Sequence, residues 1–533
     1  MKSPAAPLLQ RPGPLKGIFY AVVFIFAVIV YVSIYKYLWK FASYPIELEY
    51  REGAFWLHAL AQSYGADIFE DAKLAYVNAE HGIFDHIVKG AMACALRSWE
   101  PQYILRFFVI LFPAVSCFAI FVHSRRKMPA TAALISALCL NCAMLVTLHD
   151  IGHWNTCIGR TDSTAFTLLG LAYLCYSAHA STRQATLLRH ISYLAIALVL
   201  STNWKWYPVA LTIPAILEQH QNRLRIRELV RIYLLIAGYT LGTCALFAVV
   251  WFHGDVSTYY RYFYGFFGPK SPLPPNPGPI QMMIHYVRTP AIAVFILLSV
   301  LPVFIEAWRH FLGRSGSWPR ILAAIAVLLS MFVMILALKM NFIAGGYWYL
   351  SPQAIVLVVY FNDRYKIGPG LAAVILVLGL GILSRSDNLP LMRWYDTQLT
   401  ETLPAARKYA ADLTRLDQAF GVYSEEAHLF RRSKDLAPVD MGDFAEIFAK
   451  TTFLAPRYAS IFSEQRSRIT SHEAVLVFVG PCASSAFKQL AEDEAYVALL
   501  RSPAPGMGGV VYVRIDHIEE VQRFLMGHAA NSP

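Results

Sequence analysis

Apolar residues in this chain come in long unbroken runs separated by basic or acidic connectors, and that pattern predicts a bundle of membrane helices. A spanning helix needs about 20 mainly apolar residues, and Ile18–Tyr35 supplies such a run without a charge. Further runs lie near 103–123, 128–148, 162–180, 191–203, 206–218, 231–253, 289–308, 320–340, 345–361 and 367–385, giving about eleven spans. The two short runs before and after Asn203-Trp204-Lys205-Trp206 predict a tilted or re-entrant pair. The first run exceeds a signal-peptide core of about 7–15 residues, and no small-residue cleavage site follows it, so it reads as a retained span.

Two connectors are too long to be bare links. The first, about 40–102, contains Trp56–Tyr64 and Phe84–Leu96, whose apolar positions repeat as in amphipathic helices lying in the interface. The second, Phe252–Arg288, is aromatic and then carries six prolines from Pro269 to Pro279, which no helix continues through; it reads as a lid or as a plain linker. Beyond residue 386 the pattern changes. Leu399–Leu416 predicts a helix, and Phe420–Tyr423, Val475–Val479, Tyr496–Leu500 and Val510–Ile515 predict strands, the last two joined as a hairpin. The expected architecture is an all-α polytopic membrane domain, 1–386, followed by a small α/β extracytoplasmic domain, 387–533.

With 56% hydrophobic and 15% charged residues, against about 25% charged in soluble domains, the composition excludes a disordered chain and an ordinary soluble enzyme. The net charge of +11 would suit a nucleic-acid partner, but its distribution does not. Up to Ser386 there are 31 Lys and Arg against 16 Asp and Glu; from Asp387 on there are 15 against 19. The excess belongs to the membrane part, where it sets orientation, and no nucleic acid is expected. Basic residues follow every second span: Arg125-Arg126-Lys127, Arg183 and Arg189, Arg223 to Arg231, Arg309 to Arg320, and Arg364 with Lys366. These loops and the N-terminus are therefore expected in the cytoplasm and the tail on the opposite side, periplasmic or lumenal; the small outer domain and the near absence of cysteine pairs there point to a bacterial inner membrane rather than an endoplasmic reticulum. The eight cysteines form no disulfide or zinc spacing.

Three groups of polar residues could carry chemistry. Glu47, Glu49 and Glu52 follow the first span; one of them could act as a general base, or all could face water in an interfacial loop. Arg160 and Asp162 stand where the fourth span begins; Asp162 could serve a site or cap the helix, and Arg160 could hold a phosphate or snorkel to the surface. His149-Asp150-Ile151-Gly152-His153 offers two imidazoles four apart, but without the third ligand a zinc site needs; a divalent metal is the lesser reading and no cofactor is expected. Lys205, Arg288, Tyr347, Tyr349 and His81 are further candidates for substrate binding, each with the plainer reading of an interfacial anchor or a surface turn. There is no P-loop, no GxGxxG after a strand and no GxSxG elbow.

The order of these features resembles the C-type (GT-C) membrane glycosyltransferases, the superfamily of protein mannosyltransferases and aminoarabinose lipid A transferases. The resemblance rests on topology up to about residue 385 and on Glu49-Tyr50-Arg51-Glu52-Gly53, Tyr64-Gly65, His81-Gly82, Gly159-Arg160-Thr161-Asp162 and Gly346-Tyr347-Trp348-Tyr349-Leu350-Ser351-Pro352. Many members open the outer loop with paired acids, whereas here the glutamates are spaced 47, 49, 52. The resemblance implies transfer of a sugar from a polyprenyl-phosphate carrier to a glycan, lipid or protein acceptor at the outer membrane face, with inversion. Glu49 would be the base, Glu52 the second choice, and Asp162 would help position the acceptor. Arg160, Lys205 and Arg288 would hold phosphate, with Glu47, His81, Tyr347 and Tyr349 lining the substrate site. A transporter or flippase of lipid-linked sugars, and an envelope-assembly scaffold, are the competing readings.

Overall fold

The computed structural model describes residues 13–48, 50–65, 83–178, 182–203, 206–222, 226–257, 259, 290–312, 318–340, 350–386, 388–424, 429–430, 467, 471, 473–480, 483, 488–489, 494–504 and 508–529. The membrane part is helical: α1 (Pro14–Ser43), α2 (Tyr50–Ser63), α3 (Ile83–Ala95), α4 (Pro101–Leu105), α5 (Phe107–Arg125), α6 (Ala130–Cys157), α7 (Thr161–Ser177), α8 (Thr182–Thr202), α9 (Tyr207–Asn222), α10 (Ile226–Trp251), α11 (Pro290–Phe311), α12 (Trp318–Met340), α13 (Gln353–Arg364) and α14 (Pro369–Leu383). Each predicted span falls wholly or partly on one of these helices. Among the described residues six helices, counting α4 and α5 together, are individually long and apolar enough to cross a membrane. This is an integral membrane protein. The main departure is α8, which starts at Thr182 rather than near 191, because Arg183, Gln184 and Arg189 mask its first turns from a hydropathy reading.

Lipid gives helices little hydrophobic reason to associate, so close packing and buried hydrogen bonds hold the bundle. Gly170 of α7 lets α5 approach until a Cβ there would stand 3.2 Å from Val115 Cγ1. Ser116 donates to Asn141 Oδ1 at 2.7 Å, joining α5 to α6. Gln353 donates to Ser299 and to the Val327 carbonyl and accepts from Ser330, joining α11, α12 and α13.

The basic connectors gather at one end of the bundle. Arg126 donates to the Tyr176 and Ala178 carbonyls. Lys127 donates to the carbonyls of Asn362 and Asp363 at the end of α13. Arg364 pairs with Glu306 of α11 at 2.7 Å, and Arg189 with Glu218 of α9 at 3.6 Å. Cations at helix C-termini satisfy carbonyls that the helix leaves unpaired.

At the other end α2 and α3 pack on each other and on α4 through Phe55, Trp56, Leu60, Ala93, Ile104 and Leu105. They do not simply float with a wet polar face: Asp85, His86 and Lys89 of α3 are buried too.

From this end α15 (Asn388–Phe420) leads into a four-stranded sheet, β1 (Val422–Tyr423), β2 (Leu476–Val479), β3 (Tyr496–Arg501) and β4 (Val510–Arg514), closed by α16 (Ile518–Ala529). The order is β1-β2-β4-β3, with β1 parallel to β2 and the other pairs antiparallel, β3 and β4 forming the expected hairpin pairing. Leu476, Phe478, Val511 and Val513 alternate onto one face. That face shares a hydrophobic core with Leu38, Phe41, Tyr44, Ile46 and Leu48 around the end of α1, and with Tyr395, Leu399, Tyr409 and Leu413 of α15.

The two-ended arrangement predicts a labelling pattern. In a variant lacking the other cysteines, exposed Cys94 on α3 should react with a membrane-impermeant maleimide from one side only, and an Arg125→Cys variant from the opposite side only. Labelling of both from the same face would contradict it.

Candidate functional site

The chain breaks helix between α4 and α5 at Arg106, whose φ of −98° and ψ of 13° lie outside the helical basin, and the Arg106 side chain is fully buried. All five of its N–H groups are used. Nε and Nη2 donate to the two oxygens of Glu52 at 2.7 and 2.6 Å. Nη1 donates to the Phe41 and Tyr44 carbonyls, both at 2.6 Å, and Nη2 also to that of Ile46 at 3.0 Å. Glu52, equally buried, accepts two further bonds, from Leu48 N–H at 2.8 Å and Gly159 N–H at 2.7 Å. Four donors fill the four lone-pair directions of a carboxylate. Burial alone would raise this carboxyl's pKa; the Arg106 charge and the bonds from Arg106, Gly159 and Leu48 outweigh it and hold the group below its ordinary value.

Gly159 is the meeting point. Its N–H goes to Glu52 and its carbonyl accepts from Lys89 Nζ at 2.7 Å. A Cβ here would stand 2.9 Å from Leu105 Cβ and 3.1 Å from the Leu105 carbonyl oxygen, so only glycine permits this approach. Lys89 also pairs with Asp85, one turn back on α3, at 2.8 Å, and Asp85 accepts from Thr164 of α7. Arg160 lies 3.4 Å from Asp162. The other oxygen of Asp162 accepts from Asn203 at 2.9 Å and Trp206 Nε1 at 2.8 Å, fastening α7 to the link between α8 and α9. One bundle end thus brings together three buried cation–carboxylate pairs from segments far apart in sequence.

This arrangement lies within a known architecture. No sequence family and no curated protein matches the chain. Among solved structures it is similar to ArnT from Cupriavidus metallidurans bound to undecaprenyl phosphate, at TM-score 0.52 and 13% identity, over 91% of this chain and 97% of that one. The apo form of the same protein aligns over the same shares with TM-score 0.49. The fold is that of ArnT. An ArnT-like, GT-C fold is what the sequence resemblance implied.

Within the ArnT fold the predicted residues separate. Glu47, Glu52, Arg160 and Asp162 are all buried at the same bundle end. The reading of Glu47 and Glu52 as water-facing charges is corrected, because each is in a hydrogen bond inside the protein. Asp162 does not cap α7: it lies inside the first turn, and its carboxylate reaches across to Asn203 and Trp206. Arg160 does not snorkel, being turned inward toward Asp162. Glu49, His81, Lys205, Arg288, Tyr347 and Tyr349 lie outside the described residues. His149 is buried 3.6 Å from Cys157 Sγ, and Asp150 accepts from Ser386; among the described residues no three candidate ligands form a metal group.

Sequence reasoning missed Arg106, Asp85, Lys89, His58 and His86. The available signals were an arginine entering an apolar run and an acid–lysine pair at i, i+4 on an amphipathic helix. His58 of α2 and His86 of α3 meet with Nδ1 atoms 3.4 Å apart. Burial, with the neighbouring Lys89 charge adding to it, pushes His86 down to about 3; burial and His86 push His58 well below its ordinary value.

These buried charges have measurable consequences for stability. Arg106→Met should destabilise the protein by about 3–5 kcal/mol by stranding Glu52, and Glu52→Gln in that background should recover about 1–3 kcal/mol, read by thermal unfolding in detergent. Strictly additive effects would contradict a coupled pair. The imidazoles stay neutral when folded, so below the ordinary imidazole value of 6.5 the unfolded chain binds protons that the folded chain does not, and stability falls with pH. Each contributes about 1.4 kcal/mol per pH unit there. A His58→Leu/His86→Leu variant should show a flatter loss between about pH 6 and 5 than wild type; equal slopes would mean the pair is already charged in the fold.

Proposed function

We propose that the protein is a membrane glycosyltransferase that moves a sugar from a polyprenyl-phosphate carrier to an acceptor on the outer, periplasmic face of the membrane. The observation that carries this reading is the convergence of the Glu47–Glu52 segment with the Gly159–Asp162 turn and Lys89 at one bundle end, in a fold shared with an ArnT structure that holds undecaprenyl phosphate.

The chemistry is an in-line displacement with inversion. The acceptor hydroxyl or amine attacks the anomeric carbon and loses its proton to a carboxylate. The bond from that carbon to the phosphate oxygen breaks, and the negative charge passes to the carrier phosphate. Glu52 is a poor base, since its four lone-pair directions are filled and its carboxyl is held below its ordinary value. The role falls to Glu49, between Leu48, whose N–H is held by Glu52, and Tyr50, which opens α2. Asp162 acts with it by fixing the Asn203–Trp206 link beside the acceptor. Arg160, Lys89, Lys205 and Arg288 supply positive charge where it builds on the leaving phosphate.

The distribution of charge favours an enzyme over a transporter. Among the described residues of the bundle, the buried Asp, Glu, Lys and Arg side chains lie toward its two ends: Glu47, Glu52, Asp85, Lys89, Arg106, Asp150, Arg160 and Asp162 at one, Glu218, Glu306 and Asp363 at the other. A transporter carrying a charged substrate places such groups near the midplane.

Purified protein in lipid, offered a panel of polyprenyl-phosphate sugars with candidate acceptors, should release free carrier phosphate. Glu49→Gln should reduce release by at least about a hundredfold while leaving the unfolding temperature unchanged. Full release by Glu49→Gln would remove Glu49 from the mechanism.

A further inference from the structure

Glu47 carries a hydrogen bond that leads away from the bundle. Its Oε1 accepts from the backbone N–H of Leu429, 382 residues later in the C-terminal region. Tyr409 of α15 lies near enough that the Glu47 charge adds to burial in raising its phenol pKa. Two more ties run alongside. Tyr44 OH shares a hydrogen bond with Thr402 Oγ1 of α15 at 2.7 Å, and Lys40 pairs with Asp396 of α15 at 2.6 Å. Leu38, Phe41, Tyr44, Ile46 and Leu48 sit in the same hydrophobic core as α15 and the sheet. The opposite side of this segment is held by Arg106, through the carbonyls of Phe41, Tyr44 and Ile46, and by Glu52 through Leu48 N–H.

We infer that Glu47 is a positioning residue: through Leu429 it turns the C-terminal α/β region into a jaw of a clamp that sets the placement of the loop carrying Glu49. The inference rests on the proposed function for its kinetic consequence but not for the clamp itself. The carboxylate acts here as a hydrogen-bond acceptor, which a glutamine oxygen can replace and an alanine cannot. A Glu47 that instead met substrate through its charge would not tolerate glutamine.

The test compares Glu47→Ala, Glu47→Gln and Thr402→Val in the full chain in lipid nanodiscs. Hydrogen exchange is followed in the peptide covering 41–52, and turnover is followed with the same panel of polyprenyl-phosphate sugars. Glu47→Ala should speed exchange in 41–52 and lower kcat about ten- to a hundredfold, with KM for the donor within about twofold, because a misplaced base slows the chemical step more than it weakens binding. Glu47→Gln should stay within about threefold of wild type in both readouts. Thr402→Val, which alters only the α15 side, should speed exchange in the same peptide. Unchanged exchange in Glu47→Ala and Thr402→Val would overturn the clamp. So would a Glu47→Gln variant as slow as Glu47→Ala with 41–52 still protected, which would assign the charge to substrate. If wild type turns over no donor, the proposed function fails, while the exchange measurements still decide the clamp.

Discussion

The bundle end that carries the candidate site depends on one buried ion pair. Charges taken out of water are costly, and an arginine–carboxylate pair in an apolar interior holds its own only when nearly every donor and acceptor is matched. Arg106 and Glu52 meet that condition completely: five donors and four acceptor directions are used. The matching draws in the end of α1, the loop after it, the first turn of α2, the break between α4 and α5, and the turn at Gly159. No one of these segments can move without unpairing a charge.

This constraint explains the spacing of the three glutamates. Glu52 faces the bundle and is consumed by Arg106 and Gly159. Glu47 faces the C-terminal region and holds Leu429. The two outer acids of the segment are therefore spent on anchoring in opposite directions, and the chain between them is short. On the proposed reading this division frees Glu49 for chemistry, and it accounts for a first loop that opens with spaced rather than adjacent acids.

Much of the fold was legible in the sequence because lipid imposes a length and an apolarity on spanning helices, and because the tail strands are short apolar runs bounded by turn residues. That the basic connectors share one end was legible for a related reason: Arg126, Lys127, Arg189 and Arg364 meet there, as their spacing after every second span predicted. What escaped was partnership. Hydropathy shows Asp85 and Lys89 as the polar side of an amphipathic helix, and nothing local reveals that this side turns inward against Gly159 and Thr164. Arg106 falls inside the apolar run near 103–123, and no local pattern reveals its partners, which lie about 50 to 65 residues away. The polar ends of α8 hid two turns of helix for the same reason: local polarity does not say whether water or protein satisfies it.

The place where charge is buried also bears on what the protein handles. The described interior of the bundle is joined by uncharged groups, Ser116 with Asn141 and Gln353 with Ser299 and Ser330. Its buried acidic and basic side chains lie toward the two ends, and the end that receives the C-terminal region carries basic side chains paired with carboxyl groups. A lipid-linked phosphate has its charge at the membrane surface and its tail in the apolar layer. A site for such a substrate needs cations and a base at the end of the bundle, not across its middle, and a scaffold that keeps them dry and fixed. On the proposed reading the Arg106–Glu52 pair meets the second requirement, and Lys89 and Arg160 around Gly159 supply the cations of the first, with Glu49 as the base.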